Sequence, residues 1–151
     1  DTLRARGTIK GIGDESELIF NMVTKKQETV FSFGHYMRRY AHEATAKGVN
    51  VTLCSPVPRN NFDEEGKIKR PRPFYQDWTR SIAHETKVDF INLHELSAAV
   101  YEAKGTLEVK RLYFTPIDNT HTNKAGAMLN AQNVAKGIEG LRKNKLKKYL
   151  I

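Results

Sequence analysis

The sequence predicts an α/β fold built on a parallel sheet, and three observations carry that prediction. Short β-branched runs alternate with amphipathic stretches, the pattern of βαβ units with helices on both faces of a sheet. The 151 residues fit one domain, read here as residues 1–151 without an internal boundary. Hydrophobic residues make up 39% and charged residues 28%, which excludes a disordered polar chain.

Taken in order, residues 6–26 hold three glycines and no sustained period, so they read as an irregular surface run. Val30, Phe33, Met37, Tyr40 and Ala44 then recur at steps of three and four, one apolar helix face, with Thr29 as N-cap and Gly48 as the stop. VNVTLC, residues 49–54, is a strand ended by Ser55-Pro56. Residues 55–73 form a long loop holding four of the five prolines, and a structureless loop of more than about 15 residues is usually functional. A second helix runs from about Phe74 with Trp78, Ile82 and Ala83 inward; VDFIN is the second strand. LHELSAAVYEAKG is a helix that Gly105 terminates, and residues 111–123 are irregular. The last helix covers residues 123–143 with Met128, Leu129, Val134, Ile138 and Leu141 inward. Two strands are too few for an open parallel sheet, which normally has four or more, so the chain looks like part of a fold.

The net charge of +8 favours polyanionic partners, with the excess in KIKRPRP and in the C-terminal LRKNKLKKYLI. The tail reads first as a solvated helix end, its cations complementing the helix dipole. A basic binding module for nucleic acid or polysaccharide rests on charge alone, because no recognition motif accompanies it. No apolar run reaches the ~20 residues of a membrane-spanning helix. Cys54, the single cysteine, reads as a small core residue. His35 and His42 lie on a solvated helix face, and His84 and His94 lack a third ligand at metal-binding spacing. Gly11-Ile12-Gly13 has neither the preceding strand nor the GK[ST] of a phosphate loop. Tyr75 and Trp78 could face sugar rings, with core packing the plainer reading.

One stretch has catalytic potential. Asp118 and His121, three apart in a turn before a helix, can face one another, the carboxylate fixing the imidazole tautomer and freeing the other nitrogen as a general base. The same residues also suit a turn, with Thr122 or Asn123 capping the following helix.

DNTHTNKAGAMLNAQNVAKGI, together with RGTIKGIGDE, VTLCSPVPR and HTNKAGA, resembles the SGNH (GDSL-type) hydrolases, and most of all the rhamnogalacturonan acetylesterase-like carbohydrate esterases. The resemblance implies a three-layer α/β/α sandwich and metal-free, cofactor-free ester hydrolysis by a Ser-His-Asp triad, with Asp118 as acid and His121 as base. It further implies deacetylation of an acidic pectic polysaccharide by a secreted or periplasmic protein, with neither nucleic acid nor membrane as partner. The family's G-D-S and G-x-N-D blocks are absent: Ser16, Ser32, Ser55, Ser81 and Ser97 lack that context, and Gly34-His35-Tyr36 is not G-x-N-D. The chain therefore reads as the C-terminal portion of one SGNH domain without its N-terminal strands. Its expected partner is the N-terminal half of the same protein or a second copy of the chain, and a truncated remnant of the esterase is the other outcome.

Overall fold

The computed structural model describes residues 7–70 and 75–150. β1 (Ser16–Asn21) and β2 (Lys26–Phe31) form an antiparallel hairpin, followed by α1 (Phe33–Ala46) and β3 (Thr52–Cys54). Then come α2 (Tyr75–Glu85), β4 (Asp89–Ile91), α3 (Leu93–Lys104), α4 (Thr106–Tyr113) and α5 (Lys124–Gly140), with a final 3-10 turn at Lys145–Tyr149.

β3 and β4 pair in parallel, Thr52 opposite Asp89, Leu53 opposite Phe90 and Cys54 opposite Ile91. Side chains alternate between faces along a strand, so this register assigns the layers. Leu53 and Phe90 share one face and pack with Ile82, Ala83, Phe33 and Met37 of α1 and α2. Ile91 points to the other face, where α5 crosses so closely that a Cβ on Gly137 would stand 2.4 Å from the Ile91 Cγ2. The result is helix, sheet, helix: an α/β/α arrangement. A second cluster of Ile68, Ala98, Tyr101, Val109 and Phe114 joins α3, α4 and the long loop. No helix is long and apolar enough to cross a membrane among the described residues.

The sheet is open. Among the described residues β3 pairs with β4 alone, so its other edge carries no strand. Cys54, on the same face as Ile91, is exposed rather than a core residue. An apolar groove floored by Leu96, Ala99, Val100 and Ala103 also lies open between α3 and α5.

Several expectations need correction. Of the stretch read as irregular, residues 7–15 hold no helix or strand, but residues 16–26 form β1, the turn and the start of β2, the turn held by Asn21 Oδ1 accepting from the Val23 and Thr24 amides. Thr29 and Val30 belong to β2, and the N-cap of α1 is Ser32, which accepts from the His35 amide at 3.0 Å. The buried line of α1 is Gly34 and Ala41, while Tyr40 is 70% exposed. His35 is no free surface group: it stacks on Phe31 and meets Asp14 Oδ1 at 2.9 Å. Arg111, Leu112 and Tyr113 are the end of α4, not irregular chain. α5 stops at Gly140, with Met128 exposed on its outer side. The tail leaves the helix and docks on the sheet, where Asn144 Nδ2 donates to Thr52 Oγ1 and Asp89 Oδ2. Phe74, given as the start of the second helix, lies outside the described residues.

The long loop is fastened to α3. Arg70 makes a two-pronged pair with Glu95 at 2.7 and 2.9 Å and a third bond to Glu102, and Lys67 lies 3.6 Å from Glu102. Much of the KIKR charge is thus spent within the fold. Beside this clamp sits buried His94, its Nδ1 3.1 Å from Glu95 Oε1. Burial holds His94 below the ordinary imidazole value, Glu95 opposing only in part. The bond to Arg70 draws Glu95 down to about 2. Both folded values are depressed, so both contributions are complete above the unfolded values of 6.5 and 4.5 and are lost as pH falls. Urea midpoints are therefore expected to decline from about pH 6.5 downward. In His94→Gln the decline should start only near pH 4.5, where carboxylates titrate; an unchanged profile in that variant would contradict the assignment.

Candidate active site

The segment between α4 and α5 is a closed loop. Phe114 and Thr122 form an antiparallel bridge at its base, and the Thr115 amide donates to His121 O at 2.8 Å. Asn123 caps α5, accepting from the Gly126 amide at 3.0 Å, while its own Nδ2 donates back to Leu112 O and Phe114 O. One side chain thereby ties the end of α4 to the start of α5, and of the two caps considered from the sequence Asn123 is the one used.

Within this loop Asp118 folds the chain around its own carboxylate. Oδ1 accepts from the Thr120 and His121 amides, both at 2.8 Å, and Oδ2 lies 2.6 Å from His121 Nδ1. The two amides, His121 foremost, and then the imidazole hold the Asp118 carboxyl well below the usual carboxylate range. An ionised carboxylate only accepts, so Nδ1 carries the proton and Nε2 is left with its lone pair. The His121 side chain is 75% exposed, leaving that nitrogen open to a reacting group.

Two residues the sequence did not single out brace the loop. Lys110, on the last turn of α4, donates through Nζ to Thr115 O at 2.8 Å and to Asp118 O at 2.5 Å. It spans the arc that carries Asp118. From the long loop leaving the C-terminal end of β3, the Asn60 amide donates to Asn119 O at 2.9 Å. Ligand crevices of open parallel sheets lie at that end of the strands. Neither brace has a local signature, because each spans residues that only the fold brings together.

The serines serve other purposes. Ser32 caps α1 and donates to Gly13 O, and Ser55 accepts from the His94 amide at 2.9 Å and reaches Asn92. Ser97 is buried between Asn130 and Asn133. Ser16 lies in β1 and Ser81 on α2. None of the described serines hydrogen-bonds His121. No group of three or more His, Cys, Asp or Glu among the described residues could hold a metal ion. Tyr75 and Trp78 pack edge-to-face with each other and against Phe33.

No family model matches the chain. It is 35% identical over 122 residues to rhamnogalacturonan acetylesterase RhgT of Bacillus subtilis, covering 73% of this chain and 53% of that protein. It is 31% identical over 129 residues to the rhamnogalacturonan acetylesterase of Emericella nidulans, covering 85% and 50%. The probable rhamnogalacturonan acetylesterase YesY of B. subtilis is 32% identical over 124 residues, covering 80% and 57%. The crystal structure of YxiM from B. subtilis superposes with a TM-score of 0.65 at 28% identity, over 70% of this chain and 30% of that one. The chain spans about half the length of the curated relatives it matches.

Proposed function

This chain stands among the SGNH-type hydrolases as a homologue of rhamnogalacturonan acetylesterases, and we propose that it supplies the acid–base half of a carbohydrate acetylesterase. The observation that carries the reading is the Asp118–His121 contact of 2.6 Å in a turn whose other bonds hold the carboxylate ionised. In this reading residues 1–151 are the C-terminal portion of one SGNH domain. The open edge of β3 and the uncovered apolar groove support a missing layer of strands and helices.

The chemistry follows from the proton positions. Asp118 keeps the proton on Nδ1, and Nε2 takes one from a serine that the N-terminal half of the domain brings to it. The serine oxygen attacks the acetyl carbonyl, and the oxyanion is held by donors outside this chain. The imidazolium returns the proton to the departing sugar hydroxyl, and water, activated by the same nitrogen, releases acetate from the acyl-enzyme. The substrate in this reading is an acetylated rhamnogalacturonan-like polymer, met outside the cytoplasm.

The isolated chain should cleave p-nitrophenyl acetate no faster than free imidazole, because the base has no nucleophile to activate. Robust turnover that His121→Ala abolishes would place the nucleophile inside these residues and overturn the division of the site.

A further inference from the structure

We propose that Arg59 forms a carboxylate-binding subsite beside His121, engaging a uronic acid residue of the substrate chain. The inference rests on the acetylesterase reading for its choice of sugar. The peptide N–H that donates to Asn119 O belongs to the bond joining Arg59 to Asn60, so Arg59 is fixed against the turn that carries Asp118 and His121. Pro58 and Asn60 on either side are buried while Arg59 is exposed. Asn60 is only 4% exposed, and its Nδ2 also reaches Thr106 O at 3.4 Å. The Asn61 amide folds back onto Arg59 O at 2.8 Å. Two buried anchors and a tight turn thus hold the backbone of this exposed residue against the turn that carries Asp118 and His121.

The other arginines explain why Arg59 stands out. Arg38, Arg39, Arg70, Arg80 and Arg111 each pair with a carboxylate of the fold. Among the described arginines, Arg59 and Arg142 have no such partner, and Arg142 lies beyond the end of α5. A guanidinium offers a planar fork matched to a carboxylate, so an unpaired one beside His121 favours an acidic sugar over a neutral one. It sets which sugar flanks the acetylated residue and takes no part in proton transfer.

The test is a titration of the isotopically labelled chain, followed by NMR at low ionic strength, with a galacturonate trisaccharide and with its methyl ester. The free acid should shift the Arg59 side-chain Nε–H and the Asn119 and Thr120 amides. Arg59→Gln should weaken the free acid by about fivefold, the size of a favourable exposed ion pair, and leave the methyl ester unchanged. Arg59→Lys should fall between, and Arg142→Gln should match the parent. Equal affinity of parent and Arg59→Gln, an equal loss in Arg142→Gln, or no preference for the free acid would each overturn the subsite. His121→Ala should bind the acid like the parent, which separates the two readings. Arg59-dependent binding by a domain that never releases acetate would defeat the esterase alone. Acetate release with binding indifferent to Arg59 would defeat the subsite alone.

Discussion

His121→Ala, in a domain completed by a serine-bearing N-terminal segment, should lower kcat/KM for acetyl ester hydrolysis by about 10⁴-fold. Alanine removes the imidazole that takes the serine proton in the proposed mechanism. Asp118→Asn should cost nearly as much by a different route. An amide can still accept from the Thr120 and His121 amides at Oδ1, so the turn is retained. The atom facing Nδ1 becomes an –NH₂ donor, however, and the imidazole must turn to the tautomer that protonates Nε2. The double variant should be little worse than either single one, because the pair acts as a unit. Additive losses would show that the two residues act separately, and an Asp118→Asn rate near the parent's would remove the carboxylate from the mechanism.

Gly126→Ala should destabilise the fold by about 3 kcal/mol, the upper range for overpacking. A Cβ there would stand 2.2 Å from Tyr113 O and 2.9 Å from the Thr122 Cβ. The first of these is backbone, so relief requires moving the start of α5 away from α4. That displacement pulls on Asn123 and on the base of the loop carrying Asp118 and His121. Gly140→Ala is the matched control, with nothing within 4 Å of the added carbon. Urea midpoints should fall for Gly126→Ala and hold for Gly140→Ala; equal midpoints would mean that α5 can shift without penalty.

The parts of the fold that were legible in the sequence share a local signal. β3 and β4 announce themselves by β-branched runs, and Gly48 and Gly105 end their helices at φ of 76° and 81°, where side chains are disfavoured. For Asp118 and His121 the spacing left a plain turn as an equal reading and the family resemblance singled the pair out; the structure sets the two side chains in contact. The hairpin was hidden because Leu18 and Phe20 point outward, 65% and 54% exposed, so no apolar–polar alternation marks a core face. α4 was missed for a related reason: of its apolar residues Val109 is buried but Leu107 is 86% exposed. Tyr40 and Met128 were placed inward by periodicity, yet both are exposed, on helices whose buried lines are narrower than the apolar pattern suggests. Lys110 and Asn60 left no trace, since a side chain bonding distant carbonyls follows from the fold and not from its neighbours in sequence.

The unpaired edge of β3 and the braced acid–base pair meet in one measurement. The chain is mixed with an N-terminal segment of an SGNH-type esterase bearing the serine, and acetate release from acetylated rhamnogalacturonan is followed. Recovery of hydrolysis only in the mixture, lost again with His121→Ala, is the predicted result. A mixture as inert as its parts, with this chain a monodisperse monomer whose β3 amides resist exchange on both edges, would contradict the account.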